Sequence, residues 1–441
     1  MVIDGGHIRQ GILAGVVVFL AMAFTGRVAL AQRDSAATEA EWTEDEAGPF
    51  RGDPHRDPDL RRLSSMEGQL EGAAHIGRFL DAWSALLSGS EIPGSAAPLQ
   101  IAHFGGSHVQ AGRIGWAFRT RLAEDRPGIV AGRGIQPPHR LVGSNGPPER
   151  GWRSDQQWAG SSCANRRHQG EWGLTGVEAT CDGATQVACW SGGSAGEMCC
   201  SAVRIFARPD SAPGWQPEPP LAWTAGHANT LETGIAQWTS SRPASVPDTV
   251  WLAADNEDVG VLQGVEWWPD SVDFVFHDLG ANGASSTSWM RSPHFPVQLQ
   301  AVSPDLAILA WGINDAHMPT ERFSKARFLD HYRTLIQAFR AACPDIELML
   351  VTNNDTHYRG RHNPNAEQVR SAMRELVKTE EVACWDLYGH MGGRGSVEWL
   401  QQAGFAASDR LHMRKDGYVL WGELLYELLT RAALAENKSA P

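Results

Sequence analysis

The apolar run Leu99-Gln-Ile-Ala-His-Phe104 stops at Gly105-Gly106, and Ser107 then opens a stretch with helical spacing. A short buried strand that turns sharply into a helix is typical of a parallel sheet, and it holds one side chain up at the sheet's carboxyl edge. Two glycines allow the tight turn and the close approach of neighbouring backbone. Ser107 is thus a candidate nucleophile. Gly-Gly-Ser alone is ordinary loop composition, so the reading depends on whether the chain also supplies a base, an orienting acid and an oxyanion hole.

Strand and helix patterns recur along the chain. Ile76, Phe79, Leu80, Trp83, Leu86 and Leu87 fall at helical spacing before that strand, and Ile114, Trp116, Ala117, Phe118 and Leu122 do so after it. Beyond residue 270, expected strands over 272–279, 306–311, 346–352 and 382–387 alternate with helices over 321–342 and 366–377. A last helix begins near Gly417, with Tyr418, Trp421, Leu424, Leu425 and Leu428 on its apolar face and Asp416 as its cap. This order predicts an α/β fold, a three-layer parallel sheet flanked by helices, with its working site outside the carboxyl ends of the strands.

Residues 136–269 break the pattern. They are rich in Gly, Pro, Ser and Trp and carry short β-type runs over 173–179, 202–207, 250–254 and 261–268, with no long helix. They read as an inserted β-rich domain, sandwich-like. Ten of the chain's 18 tryptophans lie here, either filling a core or forming a platform for sugar rings. The expected organisation is therefore an α/β domain over 67–135 and 270–435, split by the insert.

The amino terminus reads as an export signal over residues 1–31. Arg9 precedes an apolar run from Gly11 to Phe24, and Ala29-Leu30-Ala31 offers a small-residue cleavage site. That run is short for a bilayer span, so no stable membrane span is expected after cleavage; Asp4 and Arg27 leave an uncleaved anchor as the alternative. Residues 32–66, polar and with Pro49, Pro54 and Pro58, read as a disordered tether. The expected location is periplasmic, secreted or cell-surface. Without residues 1–31 the chain keeps 36 basic and 50 acidic residues, a balance that argues against nucleic acid as a partner. Five of the seven cysteines (Cys163, Cys181, Cys189, Cys199 and Cys200) fall within 38 residues, which predicts two local disulfides after export, with zinc as the alternative. Cys343 and Cys384 form a further candidate pair.

Three expected strands end in glycine-containing polar loops: Gly105-Gly106-Ser107, Gly280-Ala281-Asn282-Gly283 and Gly312-Ile313-Asn314-Asp315. In a parallel sheet these loops share one edge. A fourth piece, Asp409-Arg410-Leu411-His412, precedes the last helix. An imidazole is the usual base for a serine hydroxyl, and a carboxylate three residues earlier can hold its far ring nitrogen through a very short loop. Backbone amides and an asparagine side chain can serve as rigid oxyanion donors.

Ser107, Gly280, Asn314 and His412, in that order, resemble the four marker positions of the SGNH hydrolases, the GDSL-type esterases. The resemblance implies a flavodoxin-like sheet and a Ser107–His412–Asp409 triad. It also implies an oxyanion hole from Gly280, Asn314 and the Ser107 amide, with no metal and no cofactor. Gly106 stands where the family has aspartate, which puts the hydrogen bonding of the turn in question. The β-insert and the run Met391-Gly-Gly-Arg-Gly-Ser396 with Trp399 are similar to the peptidoglycan O-acetylesterase branch, which carries a module like a carbohydrate-binding module at that place. The implied partner is an O-acetylated glycan and the implied activity its de-O-acetylation. The alternatives are a glycan O-acetyltransferase using the same triad and an inactive glycan-binding protein. His108, Arg113 and Asn353 are candidate pocket-lining residues, with Asn354 and Asp355 beside them; Asp315 is expected to support its loop.

Overall fold

The computed structural model describes residues 70–92, 97–147, 150–191, 198–218, 223–226, 230–246, 249–254, 259–269 and 271–437. The expected export signal and tether lie outside these residues. The central sheet has seven strands: β1 (Leu70–Glu71), β2 (Leu99–Gly105), β3 (Ala131–Gly132), β4 (Phe274–Gly280), β5 (Leu306–Ala310), β6 (Glu347–Val351) and β7 (Ala383–Trp385). Their order across the sheet is β1-β7-β6-β5-β2-β4-β3. All neighbours are parallel except β1, which pairs antiparallel with β7 at the edge. The sheet is therefore mixed rather than purely parallel. Two-residue β1 was missed because it is too short to show a period.

β2 and β4 are buried along their whole length, the mark of central strands covered on both faces. Their side chains still alternate. Ala102, Phe104, Leu279, Ala307, Leu309, Leu348 and Leu350 enter one core, with helices α3 (Phe295–Val302), α4 (Lys325–Ala342) and α5 (Asn365–Glu380). Leu99, Ile101, Phe274, Phe276, Leu306 and Ile308 enter the other, under α1 (Gly77–Ser88), α2 (Arg113–Asp125) and α6 (Lys415–Asn437). The three-layer expectation holds. α4 starts at Lys325 rather than near 321 because the Ser324 side chain accepts from Arg327 N and caps it. Asp416 lies in the first turn of α6, inside the helix rather than capping it.

Residues 150–269 build three antiparallel sheets. Two of them face each other across a shared core. Val203, Ile205, Val265 and Trp267 come from one, and Trp152, Val187, Trp215, Val250 and Leu252 from the other. This is sandwich packing. Trp152, Trp172, Trp215 and Trp267 are buried, whereas Trp251 is 40% exposed. The segment leaving β3 is tied to the insert by paired hydrogen bonds between Gln136 and Val265, and a buried polar seam joins the insert to the central sheet. In that seam His277 on β4 lies 3.5 Å from Glu266 and 3.2 Å from Gln100.

The disulfide expectation fails at the described thiols: Cys163, Cys181, Cys189, Cys343 and Cys384 are free and buried. Cys181 and Cys189 lie on strands of different sheets, Val177–Asp182 and Thr185–Ser191. Cys343 donates to Leu299 O rather than meeting Cys384. Burial pushes the Cys163 thiol up to about 12 and Cys343 up to about 11. These thiols fill the core as small apolar groups. The side chains of Cys199 and Cys200 lie outside the description.

Candidate active site

The register of the central sheet brings three loops together. Gly105 on β2 pairs with Gly280 on one side and with Ala310 on the other, so β2, β4 and β5 end at one level. Ser107 follows β2 directly and opens the single-turn helix Ser107–Gln110. That turn is fixed by Gly106 O, which accepts from Val109 N and Gln110 N. Gly112, at φ +64°, then separates it from α2, so the stretch that reads as one helix is two.

Ser107 Oγ lies 2.9 Å from His412 Nε2, and His412 Nδ1 lies 2.7 Å from Asp409 Oδ2. The other carboxylate oxygen, Asp409 Oδ1, accepts from Leu411 N at 2.9 Å and His412 N at 3.0 Å. Partial burial opposes ionisation of Asp409; the His412 ring and the two backbone amides outweigh it and pull the carboxyl down to about 2. The loop is closed by a bridge between Ala406 and Met413, and Arg410 takes φ +52° at its tip. It is held from behind: Arg410 O accepts from His357 N and Thr356 Oγ1, and Leu411 O from Asn354 Nδ2. The short spacing thus does bring acid and imidazole together, but the support comes from the segment after β6.

Asn314 lies in the one-turn helix Ile313–Ala316 after Gly312, whose φ of +147° suits only glycine. Its Nδ2 donates to Ala284 O at 2.8 Å. Gly106 is what lets the amide in: a Cβ on residue 106 would stand 2.8 Å from Asn314 Nδ2 and 3.4 Å from Ala284 O. Asp315 faces away and accepts from the Ser286 amide and hydroxyl, tying the loop after β4 to the loop after β5. Desolvation raises its carboxyl above the usual range.

Gly280 and Gly283 differ. A Cβ at Gly280 would press on the backbone of Val109 and Gln110, 2.7 Å from Gln110 Cα, so this glycine admits the Ser107 helix. Gly283, at φ +79°, has open space where its side chain would be and sits one residue before the carbonyl that orients Asn314.

Of the pocket-lining candidates, His108 packs against His412. His108 donates to or accepts from Tyr418 OH at 2.8 Å and packs edge-on against His412 at 5.5 Å and Trp421 at 5.3 Å. Burial, then the neighbouring His412, pulls its pKa down to about 3, so it is uncharged at neutral pH. Asn353 and Asn354 are buried and line, with His103, His108 and Trp421, an internal cavity of about 30 Å³. His103 Nδ1, His108 Nε2, Asn353 Oδ1, Asn354 Oδ1 and Trp421 Nε1 are without hydrogen-bond partners among the described residues. Arg113 is the first residue of α2, and Asp355 is buried and accepts from Gly395 N at 2.9 Å.

Several neighbours carried no sequence signal. Gln110 Oε1 accepts from Asn282 N at 2.6 Å while its Nε2 donates to Ser144 Oγ at 2.8 Å and to Asn145 O. His317, exposed and edge-on to Tyr358 at 4.9 Å, lies within the electrostatic reach of His412 and Asp409. Nothing in the spacing of Gln110, His317 or Tyr358 sets them apart; only the assembled loops do. Among the described residues no group of His, Cys, Asp and Glu could hold a metal ion, and no helix is long and apolar enough to cross a membrane.

Residues 262–420 match the family model described as GDSL-like lipase/acylhydrolase. No curated protein sequence matches the chain. A solved peptidoglycan O-acetylesterase overlays with a TM-score of 0.66 at 17% identity, covering 81% of this chain and 97% of that one. An acetylxylan esterase from Geobacillus stearothermophilus, at 14% identity and TM-score 0.29, covers 36% of this chain and 73% of its own. A GDSL-like lipase from Bacteroides thetaiotaomicron, at 15% identity and TM-score 0.29, covers 36% and 76%. The chain shares its fold with the first of these, and residues 262–420 are similar to the GDSL-like lipase/acylhydrolase family.

Proposed function

We propose that this protein is an exported serine esterase that removes O-acetyl groups from a cell-wall or extracellular glycan, with O-acetylated peptidoglycan the first candidate. The observation that carries the reading is the unbroken relay from Ser107 Oγ through both ring nitrogens of His412 to Asp409, at the edge where three sheet loops converge. The shared fold with a peptidoglycan O-acetylesterase supports the choice of polymer. The export signal read in residues 1–31 supports a periplasmic or cell-surface location.

In this reading His412 Nε2 takes the Ser107 proton as Oγ attacks the ester carbonyl, and Asp409 holds the imidazolium that forms. Neutral His108 places no second positive charge beside it. The oxyanion is met by the Ser107 amide and by the Asn314 Nδ2 hydrogen not used on Ala284 O. A glycine amide, of Gly280 or of Gly283, completes the hole. His412 returns the proton to the departing sugar oxygen. A water molecule, deprotonated by the same imidazole, then releases acetate from Ser107.

The test compares acetate release from O-acetylated peptidoglycan, acetylated xylan and a chromogenic acetate ester. Ser107→Ala is expected to lower turnover roughly 10⁴–10⁶-fold. Undiminished hydrolysis in that variant contradicts the proposal.

A further inference from the structure

The run Met391-Gly-Gly-Arg-Gly-Ser396 takes no part in the relay, yet the short helix it starts, Ser396–Gln402, touches the loop that carries Asp409 and His412. Gly395, at φ +88°, makes the turn into that helix. Oδ2 of the buried Asp355 accepts from Gly395 N at 2.9 Å and from Val397 N at 3.4 Å. Asp355 belongs to the segment after β6, so the start of the helix is tied to that segment. Glu398, in the first turn, makes a second tie: its Oε1 lies 2.7 Å from His357 Nε2. Further along the helix, Gln401 Oε1 accepts from Arg410 Nε at 2.7 Å.

These contacts close a ring. His357 N donates to Arg410 O at 2.9 Å, so Glu398 holds the side chain of the residue whose main chain holds the relay loop. Arg410 is thereby gripped twice, its carbonyl by His357 and its guanidinium by Gln401. The loop needs this hold. Arg410 takes φ +52°, a left-handed conformation that a non-glycine residue keeps only where its surroundings over-determine it. Packing does not fix the neighbouring pair, since the side chains of Asp409 and His412 are 38% and 25% exposed. Glu398 is itself partly exposed, so as a charge it adds little to overall stability and its effect is local.

We propose that Glu398 is a positioning residue for the Ser107–His412–Asp409 relay: with His357, Arg410 and Gln401 it closes the ring that sets the loop over residues 409–412 where His412 reaches Ser107. Glu398 acts through His357 and Arg410 and not on the substrate. The assignment rests on the esterase reading for what His412 does, whereas the hold on the loop is separable from it.

The test combines turnover of the chromogenic acetate ester with hydrogen exchange of the full chain. Glu398→Ala is expected to lower kcat about tenfold or more with KM nearly unchanged. Glu398→Gln still offers an acceptor to His357 Nε2 and is expected to recover most of that loss. In the Asp409→Asn background the further change Glu398→Ala is expected to cost less than about threefold, because the pair it positions is already broken. Full additivity of the two substitutions, or no loss from Glu398→Ala alone, overturns the proposal. Peptide-resolved exchange over residues 406–413 needs no turnover. The amides of Leu411 and His412, which donate to Asp409, are expected to exchange about tenfold or more faster in Glu398→Ala than in the parent chain, and unchanged exchange overturns the positioning role. A parent chain that hydrolyses no ester overturns the esterase reading instead, and the exchange of the loop then decides the positioning role alone.

Discussion

A Cβ on residue 106 would stand 2.8 Å from the Asn314 amide nitrogen, so a side chain there requires Asn314 to shift. Gly106→Asp is expected to displace Asn314 and lower kcat/KM on an acetate ester about tenfold or more, since a single oxyanion donor is worth about 10²–10³ in rate. A rise in activity contradicts this account of the turn. Asp409 makes a second residue-scale prediction. Its carboxyl, at about 2 in the fold, sits below its unfolded value near 3.9, so its contribution to stability is present above the unfolded value and lost as pH falls through about 2. Asp409→Asn is expected to flatten that part of the acid-unfolding curve; an unchanged curve contradicts the assigned contacts.

At the scale of elements, the site is an edge of the sheet, and the glycines determine how closely its pieces approach. Gly280→Ala pushes a methyl into the Val109–Gln110 backbone and is expected to cost about 1–3 kcal/mol of stability together with activity, as Ser107 shifts with its helix. Thermal unfolding and ester turnover measured together check it, and a variant normal in both contradicts the packing. Much of this was legible in the sequence. Strands that end in glycine loops identified β2, β4 and β5, and their register put the three loops at one level. The break at Gly112 was not legible, since a positive φ leaves no trace in hydrophobic spacing. Nor were the insert strands Ile235–Val246 and Thr185–Ser191, where polar and small residues mask any period of two.

For the whole molecule, sheet and insert share an apolar core, in which Trp172, Leu174, Val177 and Phe206 meet Phe104, Trp289 and Phe295, and a polar seam, rather than covalent staples among the described residues. The cysteine spacing pointed to disulfides because it registers proximity along the chain, while the fold sends Cys181 and Cys189 to different sheets. Cys163, Cys181, Cys189, Cys343 and Cys384 are expected to resist a thiol reagent in the native protein and to react after denaturation without reductant. Failure of these five to react on unfolding contradicts the free-thiol assignment. The insert's tryptophans divide by burial: Trp152, Trp215 and Trp267 fill the core of the sandwich, whereas Trp251 is exposed.

Turnover by the proposed route requires that Ser107 become acylated. Rapid-quench peptide mass spectrometry of the protein turning over an acetate ester tests it most directly. The account predicts one acetyl group on the peptide that contains Ser107, absent after Ser107→Ala. Turnover with no acetylated Ser107, or with the acetyl group held elsewhere, contradicts it.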